Sequence, residues 1–115
     1  MVEKDFNKEV VATKRQQMRK GVLSYAVLLS LQKGEAYASH VLADLKNADL
    51  LVVEGTLYPL LNRLKSEGAL NYKWRESKNG PPRKYYSLTS MGKNTLQELQ
   101  KAWEGLQKSI INISK

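Results

Sequence analysis

The side chains in this sequence best suited to binding chemistry lie on one short segment, residues 54–68. At helical spacing, Asn62 and Arg63 share one face, where an amide and a guanidinium can hydrogen-bond to base edges or phosphate oxygens. The other face of the same helix is apolar and consists of Leu57, Leu60, Leu61 and Leu64. One face therefore suits a core and the other a partner, although an ordinary surface helix has the same pattern.

The bounds of this helix follow from a proline and a glycine. Because proline lacks an N–H group and is tolerated only in the first turn, Pro59 predicts a start at about Gly55 or Thr56. Gly68 predicts the end, since glycine readily adopts the left-handed conformation that closes a helix.

A β-hairpin is predicted directly after this helix. Leu70, Tyr72 and Trp74 alternate with polar residues, as in a half-buried strand, and we expect Trp74 in the core at the base of the hairpin. Residues 76–82 form a long polar turn, and residues 83–89 alternate again. The tip is basic, with Lys78, Arg83 and Lys84. A helix followed by a basic hairpin is the order of elements in a winged helix-turn-helix, which binds DNA.

Two motifs within these elements resemble those of a known family. The sequences EGTLYPLLNRL at residues 54–64 and GPPRKYYSLT at residues 80–89 strongly resemble the PadR family of bacterial transcriptional regulators, including their usual separation. The resemblance covers roughly residues 19–110. It departs at residues 37–40, where the family has a Tyr-Gly-Tyr-Glu-like run and this chain has Tyr-Ala-Ser-His, so that only Tyr37 carries over.

The resemblance implies a mainly helical α+β fold, a winged helix-turn-helix with a two-stranded wing and a C-terminal dimerisation helix. It implies double-stranded DNA as a partner, with Asn62 and Arg63 facing base edges or nearby phosphates. A solvated charge run is an equally good interpretation of residues 14–20, whose basic side chains could instead follow the DNA backbone. The expected DNA-binding residues are Lys14, Arg15, Arg19, Tyr37, Thr56, Tyr58, Pro59, Asn62, Arg63, Lys65, Lys78, Arg83 and Lys84.

We expect three parts in the chain. Residues 1–13 form an N-terminal arm or an extension of the first helix, residues 14–89 the winged-helix domain, and residues 90–115 a C-terminal helix packed on that domain. The first helix proper runs from near Lys14 to Lys33 and the second from about Ala36 to Lys46. The second helix is expected to bury Val41, Leu42 and Leu45, and a short strand at Val52 and Val53 could join the wing sheet.

Composition limits the classes of function. The chain has 115 residues, enough for one domain, and a net charge of +8, which suits a polyanion but also a membrane surface or simple solubility. It has no cysteine and a single histidine, His40, so a zinc-thiolate or imidazole metal site is not expected. Without a thiol, a histidine pair or a Gly-rich phosphate loop, we expect no enzyme and no cofactor. No apolar run is long enough to span a membrane and residues 1–7 are charged, which predicts a cytoplasmic protein.

The C-terminal segment carries a heptad pattern. After a cap at Thr89 or Ser90, apolar residues recur at intervals of three and four, which predicts a homodimer through this helix and a near-palindromic operator. The seam consists of Leu96, Leu99, Trp103, Leu106, Ile110 and Ile113. The indole of Trp103 could open a gap between subunits for a planar aromatic effector, as in similar PadR-type drug-sensing regulators, or could simply pack there. A winged helix that binds a protein instead of DNA remains the alternative function.

Overall fold

The computed structural model describes the backbone of residues 2–115 and the side chains of residues 7–115, so that Met1 of the predicted N-terminal part lies outside the described residues. The chain is mainly helical, with one small sheet. Its elements in order are α1 (Val2–Gln32), β1 (Ala36–Tyr37), α2 (Ala38–Asn47), α3 (Glu54–Ser66), β2 (Leu70–Ser77), β3 (Gly80–Leu88) and α4 (Ser90–Ser114). In the part of the chain that the structure describes, no helix combines the length and apolar character needed to cross a membrane.

One hydrophobic core lies beneath the helices and the base of the hairpin. The four leucines of α3 are all buried, and they meet Val27, Leu28 and Leu31 of α1 and Val41 and Leu45 of α2. Burying a leucine side chain contributes about 1.5–3 kcal/mol, so this stripe fixes which face of α3 is turned outward. The apolar face predicted for residues 54–68 is thus the face that packs.

Helix α1 has a buried and an exposed half. It is continuous from Val2, so that residues 2–13 extend the helix, and its residues 7–21 are all exposed. From Leu23 onward it contributes side chains to the core, of which Val27, Leu28 and Leu31 are buried. The long exposed half carries the predicted basic run away from the core of the protomer.

The sheet has three antiparallel strands in the order β1-β3-β2. Its third strand is Ala36–Tyr37, which pairs with Tyr86 and Tyr85, and not the predicted Val52–Val53, which lie in the irregular connection before α3. The hairpin turn is also tighter than predicted, because β2 reaches Ser77 and β3 begins at Gly80. Two prolines, residues 81–82, fit in β3 because they lie beyond the short β1, where one edge of the strand has no partner, and because the register with β2 on the other edge shifts there, between Arg75 and Ser77.

Hydrogen bonds define the end of α3 and the start of α4, and the Thr89 amide joins the two regions by donating to the Ala69 carbonyl at 3.1 Å. The amide of Gly68, in the left-handed region at φ 88°, donates to Lys65, and the amide of Ala69 donates to Leu64, which closes α3 as predicted. Thr89 caps α4 by accepting from the Gly92 amide at 2.9 Å. The predicted start of α3 is slightly wrong: the helix begins at Glu54, which places Pro59 in the second turn.

Candidate nucleic-acid interface

Helix α3 presents a continuous polar surface to solvent. Its leucine stripe faces the core, so the intervening residues must face outward. All six side chains predicted here are exposed: Thr56, Tyr58, Pro59, Asn62, Arg63 and Lys65. The surface has the width of a single helix face, which is the size that fits a DNA major groove.

A groove of about 430 Å³ lies between this surface, the start of α2 and the wing. It brings together five of the predicted residues from three distant segments of the chain, together with Ser39, Trp74 and Pro82. The predicted residues that line it are Tyr37, Tyr58, Asn62, Arg83 and Lys84. Hydrogen-bonding, aromatic and cationic groups thus converge at one place, although Lys78, at the tip of the wing, is outside this groove.

The wing has two faces that differ in their neighbours. Leu70, Tyr72 and Trp74 lie opposite Leu88, Tyr86 and Lys84 in the strand register. Near the base of the hairpin this face packs in the core, and toward the tip it lines the groove. The ammonium nitrogen of Lys84 lies 4.5 Å from the ring centroid of Tyr72, while Lys65 of α3 approaches the same ring at 5.2 Å. Cations are therefore held on the groove side by aromatic faces.

The other face of the wing is tied to the start of α2. The guanidinium of Arg83 lies 4.8 Å from the ring centroid of Tyr37, whose ring meets Tyr85 edge-on at 5.2 Å. Arg75 lies 5.2 Å from the ring centroid of Tyr85 and forms an ion pair with Glu35. These contacts hold the wing at a defined angle to the helices, which sequence reasoning did not foresee because they depend on β1.

The position of Trp74 differs from the one expected, which was in the core at the base of the hairpin. Its side chain is 62% exposed and does not belong to the core. The alternation places it on the predicted face, but the hairpin extends past the helices before it reaches this residue. The indole instead contacts Tyr72 edge-on, with 6.1 Å between the ring centroids, and lies 5.4 Å from the Lys84 ammonium.

The start of α2 adds backbone donors to the groove. Tyr37 occupies the N-cap position in an extended conformation, and its side chain does not cap the helix. The first amides of α2 are therefore available to an anion, which the positive end of the helix dipole also favours. Ser39, also on the groove, was missed by the sequence analysis, because the motif at residues 37–40 departs from the PadR pattern.

The basic run of α1 divides between two grooves. Arg19 and Lys20 meet Thr56 at a groove of about 250 Å³ beside the start of α3, which links α1 to the polar surface of that helix. Arg15 lies instead, again with Arg19, on a groove between α1 and α4. Lys14 is exposed and lines neither groove.

The groove between α1 and α4 is apolar and has a volume of about 770 Å³. Trp103 lies on it at 39% exposed, and Ile110 at 66% exposed. Met18, Val22, Leu106 and Ile111 also line it. Leu96 differs from the prediction: at 5% exposed it belongs to the protomer's own core, and Leu99 packs beside that core, so only the later part of the seam is open.

Burial raises the pKa of the Tyr86 hydroxyl above its ordinary value of 10.0, and the neighbouring Tyr58 and Tyr72 add to the effect. His40 is exposed, and the centroid of its ring lies 3.8 Å from that of the Tyr37 ring. Among the described side chains, no group of three or more His, Asp or Glu is placed to hold a metal ion.

Comparison with known proteins gives consistent matches. The model of the transcriptional regulator PadR-like family matches residues 27–98. A PadR-like transcription factor from Bacteroides fragilis is 51% identical, with 88% of this chain and 98% of that chain covered at a TM-score of 0.75. A PadR family regulator from Eggerthella lenta is 29% identical, with 95% and 96% covered and a TM-score of 0.88. The structure of Bacillus subtilis PadR in complex with operator DNA is 28% identical over 69% of this chain and 46% of that chain, with a TM-score of 0.64.

Proposed function

The chain belongs to the PadR-like family of transcriptional regulators, and we propose that it is a sequence-specific repressor that binds a near-palindromic promoter operator as a homodimer. The observation that carries this proposal is the groove at which the polar surface of α3, the start of α2 and the basic wing meet. The similar Bacillus subtilis protein was solved with operator DNA, which supports DNA as the occupant here.

The roles of the residues follow from their positions. Asn62 and Arg63 contact base edges in the major groove, because they lie on the exposed face of α3. Thr56, Tyr58, Pro59 and Lys65 position that helix on the backbone, with Arg19 reaching the same region from α1. The wing contacts flanking phosphates through Lys78, Arg83 and Lys84, and Tyr37 at the start of α2 holds the Arg83 guanidinium in place for this contact.

Lys14 and Arg15 extend the basic surface along α1 and add attraction for the phosphates at longer range. If a dimer neutralises ~6–10 phosphates, its affinity should fall about 10³- to 10⁵-fold between 50 and 200 mM salt.

Dimerisation is proposed through the open part of the α4 seam together with α1. Trp103, Leu106, Ile110 and Ile113 are large apolar side chains left exposed in the protomer. Exposed apolar side chains at heptad spacing are typical of a helix-helix interface, and their burial against a second copy would stabilise the dimer. Two copies related by a two-fold axis would present their α3 helices to half-sites about 34 Å apart, and this two-fold symmetry is why the operator should be near-palindromic.

We extend the proposal to ligand sensing at Trp103. The groove of about 770 Å³ beside this indole is apolar, and its volume is typical of sites for small molecules. A planar aromatic or phenolic effector stacked on Trp103 would change the tilt between subunits and thus the spacing of the two α3 helices, releasing the operator. Calorimetric titration with 2-naphthol should detect binding to the wild type, and Trp103→Ala should abolish it. Equal binding to both proteins would refute this extension.

The primary experiment is fluorescence anisotropy with the DNA upstream of the protein's own gene and a scrambled duplex of equal length, each at about 50 and 200 mM salt. A sequence-specific regulator binds the promoter tightly and with strong salt dependence. Equal weak binding to both duplexes would contradict a sequence-specific role on this DNA.

A further inference from the structure

Trp74 is a large, exposed aromatic residue on the groove side of the wing. It lies directly opposite Lys84 in the register of β2 and β3, so both side chains leave the same face of the sheet. Both also line the groove that contains Asn62 of α3. Whatever occupies this groove beside Asn62 therefore meets the indole and the ammonium together.

The chemistry of this pair fits an anion. The indole has one N–H donor and no acceptor, and the ammonium supplies a positive charge with three donors. The Lys84 nitrogen is held 5.4 Å from the Trp74 ring and 4.5 Å from the Tyr72 ring, which limits its freedom before any ligand binds. The ammonium nitrogen of Lys65 lies 5.2 Å from the ring centroid of Tyr72 and adds to the positive potential around Lys84.

The position of the pair selects one kind of anion. When α3 lies in the major groove of DNA, a wing side chain that faces α3 lies beside the DNA strand at the edge of that major groove. The phosphates of this DNA strand are then the groups nearest to the side chain. The flat apolar ring of an exposed indole can also pack on a deoxyribose.

We infer that Trp74 is a DNA-backbone contact of the wing: its indole N–H donates to a phosphate oxygen that Lys84 neutralises, while its ring packs on the adjacent sugar. This inference rests on the proposed DNA-binding function and adds a contact to it. Because phosphates carry no sequence information, the contact strengthens binding to every duplex alike.

The test compares Trp74→Phe and Lys84→Gln with the wild type on the promoter and the scrambled duplex. Phenylalanine keeps an aromatic ring beside Tyr72 but cannot donate, so Trp74→Phe should weaken binding to both duplexes by about tenfold, the value of a hydrogen bond to a charged group. Lys84→Gln should weaken both similarly and reduce the slope of log affinity against log salt by about one. DNA should also change the tryptophan emission of the wild type more than that of Trp74→Phe.

Lys93→Gln is the matched control, because Lys93 is exposed on α4, outside the hairpin and outside the residues that line this groove. It removes the same charge as Lys84→Gln and should leave the affinity and the salt slope near those of the wild type. Thermal unfolding of each variant, followed by circular dichroism, checks that the fold is retained.

Several results would overturn the inference. Wild-type affinity of Trp74→Phe for both duplexes would remove the donor role, and a loss confined to the promoter would indicate a base contact instead. Failure of the proposed function gives a different result, namely a wild type that binds the promoter and the scrambled duplex equally. The ratio of variant to wild-type affinity can still be measured on the scrambled duplex in that case.

Discussion

The guanidinium of Arg83 lies over the ring of Tyr37, 4.8 Å from its centroid, and thereby connects the wing to the first residue before α2. The two residues are far apart in the sequence, and β1 brings them together through the pairing of Tyr37 with Tyr85. Both also line the groove beside α3. The contact therefore fixes the position of the Arg83 guanidinium relative to the polar surface of α3.

The first prediction concerns this contact. Tyr37→Ala should weaken binding to every duplex by about two- to fivefold, because an exposed cation–π contact of about 0.5–1 kcal/mol no longer holds Arg83 in place. Tyr37→Phe keeps the ring face and should bind like the wild type. Anisotropy titrations measure both, and an equal loss in the two variants would show that the hydroxyl group contributes instead of the ring.

A second prediction concerns base recognition by α3. Arg63→Ala should lower the affinity for the promoter by about 5- to 150-fold and change the scrambled duplex much less, as expected for loss of a base contact. Lys93→Ala removes the same charge from an exposed position on α4 and serves as the control. Equal losses on the two duplexes would make Arg63 a phosphate contact.

The proposed dimer seam yields a third prediction. Ile110→Asp should raise the dimer dissociation constant by about 100-fold or more, since an unpaired carboxylate in an apolar interface costs about 3 kcal/mol or more. Asn112→Asp adds the same charge to an exposed residue of the same helix at a position outside the seam, and should dimerise normally. Sedimentation equilibrium distinguishes them. A wild type that is monomeric at every concentration would refute the interface.

A fourth prediction compares two glycines of α4. A Cβ atom at Gly92 would lie 2.0 Å from the Ala69 carbonyl oxygen, whereas one at Gly105 would meet nothing within 4 Å. Gly92→Ala should therefore destabilise the fold by about 1–3 kcal/mol or more. Gly105→Ala should stabilise it by about 0.5–1 kcal/mol through helix propensity. Urea unfolding at one fixed protein concentration measures both, and similar effects of the two changes would contradict the close approach of α4 to Ala69.

The fifth prediction follows from the raised pKa of Tyr86. Above its ordinary pKa of 10.0, the unfolded chain releases this proton while the folded chain retains it. The contribution of Tyr86 to the free energy of unfolding is therefore fully present below pH 10.0. It should decrease as the pH rises from 10.0 toward the pKa of Tyr86 in the folded protein. Tyr86→Phe lacks this contribution. The difference in unfolding free energy between about pH 9 and about pH 11 should be smaller in the variant, and an equal difference would exclude Tyr86 as a cause.

Much of the fold could be predicted because its signals are local. The spacing of Leu57, Leu60, Leu61 and Leu64 depends only on helical geometry, and it correctly separated the core face of α3 from the exposed face. The alternation in residues 70–75 and 83–89 likewise placed the hairpin, and Gly68 placed the end of α3. The family could be identified because its two motifs lie in these same elements.

The errors occur where the outcome depends on packing between distant segments. Whether Trp74 is core or surface depends on how far the hairpin projects past the helices, and alternation carries no information on that length. Leu96 continues the heptad pattern of α4, but the domain covers this end of the helix and buries the residue in the protomer. A two-residue strand such as β1 is too short to show a period at all.

The sequence by itself therefore determined the four helices and the hairpin, the polar face of α3 and the apolar seam of α4, since each is a local pattern within one element or one pair of neighbouring strands. Only the tertiary structure decided which residues meet. It paired Arg83 with Tyr37, placed Trp74 beside Lys84 in the groove, and divided the basic run of α1 between two grooves. These contacts join segments whose relative positions are set by the core, and the side chains that make them have no common spacing along the chain.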